Sequence, residues 1–296
     1  MKRKDFIRKG LQGLGLMALA PALPTQSQAA SQEIIGFNHL PPQSSSTAMA
    51  NTVLHKANTR GHADHGWLQS HHTFSFAGYY NPERMQFGAL RVLNDDKVEA
   101  GMGFGTHPHN NMEIISIPLK GDLEHKDSMG NIAVIKKGDI QVMSAGTGIT
   151  HSEYNRNKDK EVQFLQIWVV PNKRNVAPRY DQITLQDNDR QNVLQQILSP
   201  SSDDAGVWVH QDAWFHLGTF DKGKNTVYQL KKQGNGVYAF LLHGEARIAG
   251  QMLGKRDGFG IWDIDSITIE SLDSGTEILL IRSEEHTSEL QSLTNL

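Results

Sequence analysis

The chain has 296 residues, with 29 Lys and Arg against 32 Asp and Glu, 14 His and no Cys. A hydrophobic share of 38% excludes disorder over most of the length, and a formal net charge of −3 gives no electrostatic footprint for nucleic acid or an anionic membrane, whose sequence-independent binding needs clustered net positive charge. The missing cysteines exclude disulfides, thiolate zinc sites, iron–sulfur clusters and cysteine nucleophiles, which leaves histidine as the residue around which chemistry is to be sought.

Residues 1–29 read as an export signal. Lys2-Arg3-Lys4 and Arg8-Lys9 are basic, Leu11–Leu23 is weakly apolar and rich in Gly and Ala, and Ser27-Gln28-Ala29 offers small residues for cleavage. The run Arg3-Lys4-Asp5-Phe6-Ile7-Arg8 resembles a twin-arginine signal whose second Arg has become Lys, which implies export in a folded state to the periplasm. Gln12 and the glycines and prolines of this stretch break up the run of about 20 apolar residues that a membrane anchor needs, so no stable membrane insertion is expected after cleavage. Residues 30–50, with Pro41-Pro42 and Ser44–Thr47, form a polar linker.

From residue 51 onward, Gly, Asn and Asp punctuate short segments rich in Val, Ile, Phe and Trp. In the first half, 51–172, the pattern predicts strands over Phe87–Asn94, Glu113–Leu119, Ile132–Lys136, Ile140–Ser144 and Val162–Val170. A connection over 173–205 contains one helical stretch, Asp189–Leu198, in which Val193, Ile197 and Leu198 share a face before Ser199-Pro200 stops it. In the second half, 206–281, strands are predicted over Val237–Leu242, Ala246–Ala249, Phe259–Asp263, Ser266–Ser271 and Thr276–Ile281.

The two halves read as copies of one unit. Ile117–Lys120 runs into Gly121-Asp122, a strand, a Gly turn and Gly138-Asp139, while Phe240–His243 runs into Gly244-Glu245, a strand, a Gly turn and Arg256-Asp257. An all-β chain of two packed β-barrel domains with a short linking helix is the architecture this implies. The last run, Arg282–Ser292, resembles the in-frame translation of a sequencing-library adapter, so residues 282–296 are expected to be a polar, non-native tail.

The chemistry concentrates in the first half. Gly101-Met102-Gly103-Phe104-Gly105-Thr106-His107-Pro108-His109 is followed by Glu113, and His151-Ser152-Glu153 follows a glycine-rich turn. Residues i and i+2 of a strand face the same side, so each pair presents two donors to one point, three nitrogens and one oxygen together. Such a set suits Fe(II), Mn, Ni, Cu or Zn. In the second half, counting back from Gly244 by the same spacing lands on Leu230 and Lys232, so that copy is expected to be metal-free.

The frame around His107, His109 and Glu113 resembles the first motif of the cupin superfamily, and longer runs resemble pirin, a bicupin family. These runs are Arg60–Leu68, His72–Ala77, Phe87–Asp96, His107-Pro108-His109, Gly121–Ser128 and Gly146–Glu153. The resemblance implies two jelly-roll cupin barrels, one Fe(II) per chain on His107, His109, His151 and Glu153, and Mn, Ni, Cu, Zn or Co as other occupants. Glu113 falls at the carboxylate position of ordinary cupins, but the pirin pattern gives the oxygen ligand to Glu153, which leaves Glu113 behind the ligands or on the strand. His62, His65, His71 and His72 read as core or turn histidines, and His125 as a residue lining the site or bonding across a hairpin. Asp95-Asp96 and Lys136-Lys137 read as solvated turns.

The resemblance implies an iron-dependent dioxygenase of the quercetin 2,3-dioxygenase type, with a flavonol and O2 as substrates and Glu153 as proton acceptor. The chain is expected to be a monomer with no nucleic-acid partner. The alternative is a non-enzymatic, iron-binding module for redox sensing or protein binding, against whose nuclear form the export signal speaks. A storage-type bicupin with an incidental metal is disfavoured by coordination positions left open, since structural ions are normally enclosed.

Overall fold

The computed structural model describes residues 50–230 and 234–284. The expected export signal, the linker up to residue 49 and residues 285–296 of the expected tail lie outside the described residues.

The first half contributes β1 (Asn51–His55), β2 (Gly61–Asp64), β3 (Leu68–His72), β4 (Leu90–Val98), β5 (Gly103–His109), β6 (Glu113–Lys120), β7 (Asp122–Asp127), β8 (Ile132–Lys136), β9 (Asp139–Ser144), β10 (Ile149–Asn155), β11 (Val162–Val169) and β12 (Arg179–Thr184). The second contributes β13 (Gln195–Ser199), β14 (Val207–Trp208), β15 (Trp214–Phe220), β16 (Asn225–Gln229), β17 (Asn235–His243), β18 (Ala246–Ile248), β19 (Gln251–Leu253), β20 (Gly258–Trp262), β21 (Ser266–Ser271) and β22 (Thr276–Glu284).

Each half has a large and a small sheet, and the strand orders repeat. The first runs β12-β9-β6-β11-β4-β3-β2 with β5-β10-β7-β8; the second runs β1-β20-β17-β22-β15-β13-β14 with β16-β21-β18-β19. The expected duplication is therefore present at the level of topology, and the chain folds as two cupin-like barrels. Gly121 and Gly244 both turn the chain at φ of +76° and +78°, a left-handed conformation that glycine adopts without a Cβ penalty. The first strand crosses over: β1 pairs along its whole length with β20, so the start of the first half closes the edge of the second barrel.

The alternation of side chains explains how one strand serves two cores. On β11, Leu165, Ile167 and Val169 face a core shared by the two large sheets, where they join Phe215, Phe240 and Ile281. The second barrel is filled by one apolar cluster containing Val237, Ala239, Leu241, Ile267, Ile269 and Leu280. In the first barrel the interior is split into a Leu123/Ile135/Phe164 cluster and an Ile114/Met143/Ile149 cluster. Buried polar side chains, among them Ser116, His151, Glu153 and Gln166, lie on the same strands as these clusters.

Three expectations are corrected. The linking helix is a four-residue 3-10 turn, Asp187–Arg190, and Gln195–Ser199 is a strand paired with β15. Asn192 adopts φ 59°, and its amide bonds to Thr219, so pairing with β15 overrides a weak helical pattern. Asp96 is not in a solvated turn: it lies in β4 and is buried. Arg282, Ser283 and Glu284 are not tail residues but the end of β22, where Arg282 and Ser283 are buried and the Arg282 guanidinium lies 4.0 Å from the ring centre of Trp214.

Candidate metal centre

The site is built where β5 lies beside β10, with His107 directly opposite His151 and His109 opposite Ile149. Pro108 sits between the two histidines. It lacks an N–H, which the ladder tolerates because β5 is the edge strand of its sheet. A bulge between His151 and Glu153 lets Glu153 pair with Phe104, and a Cβ on Gly103 would lie 2.3 Å from the Glu153 carbonyl oxygen, so only glycine permits this approach.

The rings of His107, His109 and His151 converge, with centroids 4.4 Å apart for His107 and His151 and 4.9 Å for each of the other two pairs. One nitrogen from each lies within 4.8 Å of the others. Neighbouring groups set which nitrogen is free. His107 Nδ1 lies 2.7 Å from the Gly105 carbonyl, which can only accept, so Nδ1 carries the proton and Nε2 keeps its lone pair. His125 Nε2 donates to Asp127 Oδ2 at 3.1 Å, leaving His125 Nδ1 to accept from His151 Nδ1 at 3.5 Å. Nε2 of His151 is thereby left deprotonated, buried and without a hydrogen-bond partner.

Burial lowers the pKa of His109 to about 4, helped by the charge of His107, and that of His151 to about 2, helped by His107, His109 and His125. These imidazoles are neutral at physiological pH. Imidazole nitrogens converging on one point, one of them a buried orphan, fit a divalent transition ion.

Glu153 lies beside this cluster rather than within it. Its Oε1 accepts from Ser116 Oγ at 3.0 Å and its Oε2 from Gln166 Nε2 at 2.6 Å. Burial pushes its pKa up to about 7 against these two hydrogen bonds. Glu113 points elsewhere: it accepts from Ser144 Oγ at 2.6 Å, and burial raises it to about 7 against that bond, the charge of Arg179 and the His210 backbone. It braces the strand, one of the two placements expected for it.

His107 and Glu153 open onto a cavity of about 670 Å³ whose walls include Trp67, Phe76, Tyr79, Phe104 and Trp168. Its polar lining was not foreseen. Asp96 accepts from Ser70 Oγ, and burial raises its pKa to about 7. His72 Nδ1 and Asn94 Oδ1 are buried without partners, while His62 and His65 are exposed cavity residues. A polar residue inside an apolar strand, such as Gln166 within Phe164–Trp168, is the signal that could have revealed this lining.

Strand pairing explains why the second barrel differs. His125 pairs with Glu153 and Ser116 with Gln166; at the matching ladder positions Ile248 pairs with Ile269 and Ala239 with Leu280. His107 opposite His151 corresponds to Tyr228 opposite Ile267. The counterpart of His107 is thus Tyr228 rather than Leu230, and Lys232 lies outside the described residues.

Comparison with known proteins agrees with this geometry. Residues 53–169 match the family described as Pirin, and residues 196–282 match the one described as Quercetinase C-terminal cupin domain. Quercetin 2,3-dioxygenase of Escherichia coli (strain K12) is 46% identical over 227 residues, covering 77% of this chain and 96% of that protein. A pirin-like protein of Caulobacter vibrioides is 40% identical over 221 residues, covering 74% and 94%. The crystal structure of the bacterial pirin YhhW from Escherichia coli in complex with nickel(II) superimposes with a TM-score of 0.75 at 44% identity, covering 80% of this chain and all (100%) of that one.

Proposed function

The chain belongs to the pirin family, and from that premise we propose that its first barrel is a metal-dependent dioxygenase that opens the ring of flavonols such as quercetin, with Fe(II) as the native ion. The observation that carries this reading is the convergence of three imidazoles, with the orphaned His151 Nε2 among them, beside an aromatic-walled cavity that also contains Glu153. His107, His109 and His151 would hold the ion, with Glu153 as a fourth ligand once its carboxylate turns from Ser116 and Gln166. The name of the Escherichia coli relative and the nickel(II) bound by a related pirin support the reading.

When bound, a divalent transition ion supplies a Lewis acid for a substrate hydroxyl and a redox-active centre for O2. The protein's own groups do the rest. Trp67 and Phe104, edge to face at 5.4 Å, together with Trp168, give a flat ring system apolar walls and exclude water. Glu153 takes the hydroxyl proton as general base. Burial raises the pKa of the Glu153 carboxylate in the metal-free chain, and Ser116 and Gln166 hold it beside the cavity whenever it is off the ion.

The test is oxygen uptake with quercetin after anaerobic loading with Fe(II). Uptake matched mole for mole by flavonol loss is expected; no uptake with Fe, Mn, Co, Ni or Cu loaded would replace the enzyme with the protein-binding module. We further propose, on the basic run Arg3–Arg8, that the chain works in the periplasm, and that it does so as a monomer. Fractionation of cells expressing it with and without Arg3 and Lys4 would check the location, and light scattering the oligomeric state.

A further inference from the structure

A second cavity, of about 300 Å³, lies between the two barrels and shares no lining residue with the first. It forms where equivalent parts of the two repeats meet. Asp139 accepts from the amide three residues before it, at Lys136, and Asp257 does the same with Gly254, which makes these two turns counterparts. Lys137 and Lys255, each two residues before its Asp, therefore correspond, and both line the cavity; so do Leu119 and Leu242, two residues before Gly121 and Gly244.

The deepest cation is Arg190, on the 3-10 turn between the repeats. It is 6% exposed, and one amino group bonds to Asp187 at 2.5 Å. Its Nε and Nη1 are buried with no partner. Leaving buried donors unpaired is costly, and a guanidinium fork presents its N–H groups in the plane that a carboxylate or phosphate accepts. Lys137 and Lys255 are exposed at the cavity. Of the two acids there, Asp139 is already engaged by Thr184, Gln182 and the Lys136 amide, which leaves Glu277 as the one carboxylate facing these cations.

We propose that this inter-barrel cavity binds a small organic anion. Its carboxylate or phosphate sits on the free side of Arg190 between Lys137 and Lys255, and its apolar body lies against Leu119, Leu185 and Leu242. Such a ligand touches both repeats and ties them together, independently of the metal centre.

Calorimetric titration of the full chain, metal-free and Fe(II)-loaded, with benzoate, phenyl phosphate and inorganic phosphate tests this. One saturating site for benzoate or phenyl phosphate is expected, equal in the two metal states and weakened by salt; which of the two binds more tightly separates a carboxylate from a phosphate ligand. Arg190→Gln should weaken it about tenfold or more, and the doubly exposed pair Lys137→Gln with Lys255→Gln should weaken it severalfold without loss of thermal stability, which keeps the test valid should Arg190→Gln fold poorly. No saturation by about 10 mM, binding of inorganic phosphate alone, or equal affinity in the lysine variant and the parent would overturn the proposal. Because binding is read without turnover, its failure is distinct from failure of the dioxygenase reading.

Discussion

Gln166 donates to Glu153 at 2.6 Å across the interior of the first barrel, at ladder positions where the second barrel places Leu280 and Ile269. The same fold thus carries a polar pair in one copy and an apolar pair in the other. Residues that orient a ligand or base typically matter 10- to 100-fold, by about 1.4 to 2.7 kcal/mol. Gln166→Leu should therefore keep the fold and lower turnover of the Fe(II)-loaded enzyme by about that factor. Glu153→Gln should retain metal through the three histidines but lose most oxygen uptake with quercetin, and Glu113→Gln should be milder, since Glu113 bonds to Ser144 instead. Near-parental uptake by Glu153→Gln would remove Glu153 from the role of base.

His107→Ala and His151→Ala should each abolish stoichiometric metal binding while leaving the fold, because the apolar clusters on either side of the site do not include them. Asp127→Asn acts at a distance, by loosening the His125 proton that sets the His151 tautomer; a 10- to 100-fold loss of metal affinity is expected, in about the range for such partners. Metal analysis after dialysis, paired with thermal unfolding, reads both. Collapse of the metal-free His variants under mild conditions would mark the ion as structural.

The apolar substitutions of the second barrel predict one metal ion per chain. Ile248, Ile267, Ile269, Ala239 and Leu280 offer no donor where the first barrel has His125, His151, Glu153, Ser116 and Gln166. Reconstitution with excess Fe(II) should saturate at one equivalent, and the His107→Ala chain at none. A second tight equivalent would show a site elsewhere.

The paired donors were legible in the sequence because strand geometry puts i and i+2 on one side whatever the rest of the fold does. The duplication was legible from Gly121 and Gly244, which both require left-handed turns. What escaped depends on partners distant in sequence. Asp95-Asp96 reads as a turn until β3 brings Ser70 against Asp96, and Asp189–Leu198 reads as a helix until β15 offers its edge. The cavity at Arg190 was hidden by the same misreading, since a helix would have placed that side chain by period rather than by pairing.

Asp96 makes the pH dependence of stability testable. Burial raises its folded pKa from 3.8 to about 7, so the folded chain holds a proton there that the unfolded chain releases near 3.8. That contribution is complete below the unfolded value and is lost as pH rises through about 7. Between about pH 4.5 and 6.5 it tilts stability downward with rising pH by about 1.4 kcal/mol per unit. His72 tilts the opposite way: burial lowers it from 6.5 to about 4, so the unfolded chain binds a proton that the folded one refuses, and stability falls as pH drops through that window. The two slopes offset one another in the parent chain. Asp96→Asn keeps a neutral, hydrogen-bonding side chain beside Ser70 but removes the titration. Urea unfolding of the metal-free variant should therefore show stability rising with pH relative to the parent by about 1.4 kcal/mol per unit across that window, and parallel curves for the two chains would mean that Asp96 titrates normally.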